Sequence, residues 1–373
     1  MLTNNKKFAV MAVGAALTAS ISVSPSAMAR DLTYASYLPP HHPTSLGIKT
    51  FIDKVQSETD GSVSFKLFPS GAAASGPTML TAVRDGLIDA GFMVSVYFPT
   101  SIPANSIISD LSFWNQNSLV TAAAAVDTVL NGCEQCLQEF SEYDVRFLSN
   151  YATPPYQAMC KGEFPNGFEP KGLRMRVAGE EMGRWVEQIG GVPVNIPNNE
   201  AYEAMERGQL DCVIGATSWL KSLSLNEVVD SVITLPMGAF QGGSNINVRD
   251  GLWQDLSTSE QKVLVDATPI ALARTIFAYE SEEAEAREAA QENGIKFVEV
   301  SPMLKQTRDE FMQSQLARAA ATAKGRGVSE PEQIVSNFIN NLEKWEKLVA
   351  DGNITEEQYA ELLRTEIYDK ASL

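Results

Sequence analysis

Residues 171–211 constrain the fold of this chain more than any other stretch. They read KGLRMRVAG and then, after one helical turn pattern, GGVPVNIPNNEAYEAMERGQLD. A short alternating strand runs into a Gly-marked turn. A helix follows, then a second strand, a Pro-bounded loop and a further helix that closes at Gly208. Strand and helix in alternation demand parallel pairing with right-handed crossovers, so the fold class is α/β. In such sheets ligands sit where loops converge at the carboxyl ends of the strands. Arg176 stands at that place. Its planar, permanently charged fork matches the two oxygens of a carboxylate, and the expected ligand is therefore an organic anion.

The chain has 373 residues, more than one hydrophobic core usually serves, and two lobes are expected. At the N-terminus Lys6 and Lys7 precede an apolar run at residues 8–17, and the small-residue site Ala27-Met28-Ala29 follows. This is the layout of a secretory signal peptide over residues 1–29, and it is too short in its apolar part for a membrane span. Cleavage there moves the formal charge from −17 to −19, because two lysines leave and no acid does. So acidic a protein repels nucleic acid and anionic lipid, so neither is an expected partner. Cys133, Cys136, Cys160 and Cys212 allow three pairings; Cys133 with Cys136 and Cys160 with Cys212 is the preferred one, with unpaired buried thiols as the alternative. Two of them with His41 and His42 make a poor zinc site, and no metal or other cofactor is expected.

Elsewhere residues 32–38 alternate as a strand, and Thr44 or Ser45 can cap a helix carrying Ile48, Phe51, Ile52 and Val55 on one face. Val63, Phe65 and Leu67 alternate as a second strand, and residues 88–96 form an apolar third. The loops at 37–42, 71–77 and 94–98 then gather around one candidate site. A long helical pattern covers residues 258–293 with Pro269 inside it, and three further helices follow residue 301.

In this order the fragments HPTSLGIKTFIDKVQSETDGSVSFKLFPSG, AVRDGLIDAG, LSFW, KGLRMRV, NEAYEAMERGQLD and LWQDLSTSEQKVL resemble the substrate-binding proteins of tripartite ATP-independent periplasmic (TRAP) transporters, the dicarboxylate-type extracytoplasmic receptors. The resemblance covers nearly the whole mature chain. It implies a bilobal clam-shell with two mostly parallel sheets flanked by helices, and no catalysis. The receptor would work in the periplasm, deliver a small organic acid to membrane permease subunits, and be a monomer. The expected division is 30–153 with about 241–278 in one lobe, 154–240 with about 279–302 in the other, a long helix spanning both, and 303–373 as helices packed across them.

The resemblance also selects Arg176 over Arg174 as the carboxylate clamp, since strand alternation puts both on one face. Arg174 reads as a surface cation paired with an acid, and Glu200 and Asp211 as braces. The positions that line the pocket in relatives correspond here to Tyr37, Gly76, Val94, Tyr97, Tyr156 and Gly215, with His42 and Trp219 close by. Tyr156 stands where many relatives carry another arginine, and Gly215 where an asparagine or acid is common. Phe113 and Trp114 read as core. One arginine among tyrosines has little to pair with a second carboxylate, so the expected ligand is a monocarboxylate with an apolar or aromatic body. Four-carbon dicarboxylates and sugar acids are the competitors. An exported enzyme acting on small acids is the rival from another class. The chain has only two histidines, adjacent in one loop, and none of the G-x-S-x-G, H-E-x-x-H, P-loop or dinucleotide patterns.

Overall fold

A computed structural model describes residues 1–3, 30–350 and 352–373. The leader expected over residues 1–29 lies, from residue 4 onward, outside the described residues. Among those described, no helix is long and apolar enough to cross a membrane.

Among the described residues, twelve strands form two sheets. In chain order they are β1 (Arg30–Ala35), β2 (Val63–Phe68), β3 (Ala90–Gly91), β4 (Met93–Val94), β5 (Val145–Tyr151), β6 (Gln157–Cys160), β7 (Arg174–Val177), β8 (Val192–Asn195), β9 (Cys212–Gly215), β10 (Ser231–Ile233), β11 (Gly243–Arg249) and β12 (Lys296–Val298). The first sheet runs β2-β1-β3-β11-β4, with β5 also paired to β11. The second runs β12-β10-β6-β9-β7-β8. The protein is therefore a two-lobed α/β fold, and its sheets are more mixed than strand–helix alternation alone implies. Parallel pairs form where a helix crosses over, as in β1 with β2 and β7 with β8. Antiparallel pairs form where strands arrive by other routes, as in β11 with β5 and β6 with β9.

The helix Pro43–Glu58 buries Ile48, Phe51, Ile52 and Val55 as the 3.6-residue period requires. Its cap is His42, not Thr44 or Ser45: the imidazole Nδ1 accepts from the Thr44 N–H at 3.2 Å. Pro43 decides this. It suits the first helical position and holds the preceding residue extended, at φ −64° and ψ 140°. The apolar run at 88–96 is likewise not one strand. The chain leaves β1 at Phe92, whose N–H bonds the Ala35 carbonyl at 2.9 Å, and ends in a 3-10 turn, Ser95–Tyr97. That turn carries Tyr97 toward the second sheet.

The lobes are joined by paired crossing segments, bridged at Pro155 and Ala239, and by the helix Thr258–Glu292. This helix has 35 residues, starts in a capping box between Ser257 and Glu260, and contains Pro269. It packs against Pro43–Glu58 on one side of the molecule and Trp219–Ser222 on the other. The helices Pro302–Gly325, Pro331–Leu348 and Glu356–Leu363 complete the chain. Pro331–Leu348 lies on Ser118–Gly132, where buried Asp127 accepts from the Trp345 indole at 3.2 Å and from Lys344 at 2.8 Å.

Candidate ligand-binding site

Arg176 is the third residue of β7, inside the second sheet, and only 1% of its surface is exposed. Its Nε donates to the Ile196 carbonyl at 2.9 Å and Nη1 to the Ile214 carbonyl at 3.1 Å. These two main-chain oxygens fix the plane of the guanidinium without neutralising it. Arg174, two residues earlier on the same face, is bound twice over by Asp211, with Nη2 2.7 Å from Oδ1 and Nε 2.9 Å from Oδ2. Arg176 takes part in no ion pair among the described residues, although Arg174 beside it does. One strand thus carries a satisfied cation at its start and an uncompensated one near its end.

Aromatic side chains from both lobes enclose that charge. The Trp219 ring lies over the guanidinium, 5.4 Å from centroid to Cζ. Tyr156 meets Trp219 edge-on at 5.2 Å and stacks on Phe240 at 5.4 Å. From the first lobe, Tyr37 stacks on Phe92 at 5.1 Å and meets Tyr97 edge-on at 6.2 Å. Tyr97 lies close enough to Arg176 to feel its charge. Burial raises the phenol pKa of Tyr37, Tyr97, Tyr151 and Tyr156, and the Arg176 charge pulls each of them the other way. All four remain neutral hydroxyls around one cation.

Two glycines make room for this cage. A Cβ on Gly215 would lie 2.2 Å from two carbons of the Trp219 indole, so the ring reaches Arg176 only because β9 ends without a side chain. A Cβ on Gly76 would meet Tyr97 at 3.1 Å and Tyr37 at 3.3 Å.

The profile of the bacterial extracellular solute-binding proteins, family 7, matches residues 34–322. The chain belongs to this family. It is an extracytoplasmic solute receptor of the TRAP type. The receptor is 24% identical over 286 residues to an outer membrane transporter protein of Comamonas testosteroni, which spans 76% of this chain and 83% of the relative. It is 24% identical over 271 residues to a monocarboxylate 2-oxoacid-binding periplasmic protein of Nostoc sp., spanning 70% and 72%. Among solved structures, a TRAP periplasmic solute-binding protein from Bordetella bronchiseptica with bound (R)- and (S)-mandelate superposes with a TM-score of 0.73 at 24% identity, over 84% of this chain and 99% of that one. One from Sulfitobacter sp. with bound β-D-galacturonate gives 0.71 at 18%, over 83% and 100%.

Of the receptor's other sequence-derived site residues, His42 sits apart from the cage as a helix cap. Its Nε2 is 3.5 Å from the Tyr279 hydroxyl, and burial pushes its pKa down to about 3. Val94 ends β4 as a buried wall residue. Phe113 is core, packed against Trp185 and Phe311; Trp114 is only partly buried against it. The structure contains both disulfides Cys133–Cys136 and Cys160–Cys212. The second joins paired residues of β6 and β9, directly beside the Arg176 strand. Sequence reasoning missed Tyr151 and Tyr279, whose rings stack at 6.1 Å and 3° behind the cage, with Tyr151 also 5.6 Å from Phe92. Tyr279 lies within the long helix, and the Trp219 indole Nε1 is buried with no hydrogen-bond partner among the described residues.

Proposed function

We propose that this receptor captures a monocarboxylate with an apolar or aromatic body, clamps its carboxylate on Arg176, and passes it to a TRAP permease without chemical change. The supporting observation is the buried, uncompensated guanidinium of Arg176 inside a wall of neutral aromatics. A buried charge of this kind is strongly unfavourable until an opposite charge pairs with it. One carboxylate supplies that charge in full. A second would be buried without a partner among Tyr37, Tyr97, Tyr156 and Trp219. The rings offer apolar faces to a flat body, and their hydroxyls can orient one polar substituent. The mandelate complex and the 2-oxoacid-binding relative agree with this reading, and the galacturonate complex marks its main competitor.

Sheet membership supports a division in which residues 30–153 with about 241–278 form one lobe and 154–240 with about 279–302 the other. The ligand would dock on Arg176 of the second lobe, and the first would bring Tyr37 and Tyr97 over it. In this reading residues 1–29 direct export. Isothermal titration of the mature protein with (R)-mandelate, 3-hydroxybenzoate, 4-methyl-2-oxopentanoate, galacturonate and succinate tests the ligand class. Binding of one or more of the first three is expected, with the acid recovered unaltered. Binding by galacturonate or succinate alone overturns the class.

A further inference from the structure

Away from the cage, a second group of buried charges crosses the seam between the lobes. Asp110 ends the helix Pro103–Ser109 of the first lobe, and Glu181 lies in the first turn of the helix Gly179–Gln188 of the second. Glu181 Oε2 accepts from the Ser112 N–H at 2.8 Å, two residues from Asp110, and the Asp110 charge acts on the Glu181 carboxyl. Both acids are almost fully buried. The second Glu181 oxygen, Oε1, is buried with no hydrogen-bond partner among the described residues. The approach is also close at Gly179, where a Cβ, at φ +86°, would lie 2.7 Å from Val96.

The neighbouring charges are Glu180 and Arg184 on the same helix and Arg326 at the end of Pro302–Gly325. Arg326 and Arg184 pair with Glu180, and Arg184 also donates to Gln315 at 2.9 Å. Neither arginine is in an ion pair with Asp110 or Glu181 among the described residues. Two carboxylates in one dry seam cannot both stay ionised without a cation between them.

We propose that the lobes bind one proton between Asp110 and Glu181 as they come together, so that the receptor takes up a proton along with its ligand. The inference rests on the lobe division given above. The step is a simple protonation: a proton from solvent adds to one carboxylate, which becomes a neutral acid. Burial is the main cause that pushes Glu181 up to about 8, with the Asp110 charge second; burial likewise pushes Asp110 up to about 6, opposed by Arg184. The two titrate as a pair. Once the lobes part and water reaches them, both return toward the ordinary carboxylate range near 4. The folded-and-closed values are raised, so the contribution is present at low pH and fades as pH rises through about 8. Affinity should then increase by up to about tenfold per unit as pH falls from about 8 toward 5.

The test is calorimetry of the mature protein at pH 7 in phosphate and in Tris, whose protonation enthalpies differ, with whichever acid of the panel binds. Wild type should take up close to one proton more per ligand than Glu181→Gln, which keeps the shape and can still accept from Ser112. The comparison with Glu181→Gln also separates this proton from any taken up at Glu282 and Glu283, whose pKa values burial raises as well. Equal proton counts for the two proteins overturn the proposal. If only galacturonate binds, the ligand class fails while the proton count still decides this inference. If no acid of the panel binds, pulsed-EPR distances between one spin label on each lobe at pH 8 and pH 5.5 decide it. The wild-type distribution should shorten at the lower pH and that of Glu181→Gln should not; identical wild-type distributions overturn it.

Discussion

The Trp219 indole covers the Arg176 guanidinium at 5.4 Å. Arg176 lies on β7 and Trp219 just beyond β9, the strand paired with it, so cation and lid are held by one sheet. A cation under an aromatic face in a dry site gains on the order of 2 kcal/mol from the ring quadrupole, which offsets only part of the cost of burying it. The remainder is left for the ligand.

Arg176→Ala should weaken binding of the cognate acid by about 30-fold to several thousandfold, corresponding to the roughly 2–5 kcal/mol lost when one partner of a buried charge pair is removed. Calorimetry reads this directly. A loss below about threefold on that scale would remove Arg176 from the role of clamp.

Gly215→Ala should displace the indole, because its new methyl would sit 2.2 Å from the ring carbons. Affinity should drop by at least about tenfold, as expected for disturbing a central aromatic anchor. In a Trp219→Ala background the same change should add little, since the two sites share one contact. Additive losses would mean that Gly215 acts by some other route.

The disulfides should differ in their contribution to stability. Cys160–Cys212 closes a loop across 52 residues, while Cys133–Cys136 spans 3. Chain entropy gives about 4 kcal/mol for the long loop and about half that for the short one. Urea denaturation of the two double-alanine variants should rank them in that order, with ligand affinity falling more in the Cys160/Cys212 pair because it braces the strand next to Arg176.

Acid should destabilise the fold through His42. Its folded pKa of about 3 lies below the ordinary value of 6.5, so burial favours the neutral ring. The associated stability is complete above about 6.5 and is lost as pH falls toward 3, a change on the order of a few kcal/mol. His42→Asn keeps a good helix cap and should flatten the melting temperature over that window. An unchanged acid limb would place the sensitivity elsewhere.

Much of this arrangement is legible in the sequence, for local reasons. The strand leading to Arg176 and the long helix through Pro269 follow from periodicity. Other features depend on distant partners. Alternation placed Arg174 and Arg176 on one face, and only Asp211, folded back against Arg174, distinguishes them. Tyr151 is the last residue of a strand and Tyr279 sits mid-helix, and nothing near either one announces that their rings will stack. His42 took the cap from Thr44 because of one proline. The bond from Ser112 to Glu181 joins residues 69 apart in the chain.

The helix Thr258–Glu292 gives the molecule a rod of roughly 50 Å, from its 35 residues at 1.5 Å each. A rod bound to both halves leaves little freedom for them to slide past one another, so opening reduces to a swing about a nearly fixed axis.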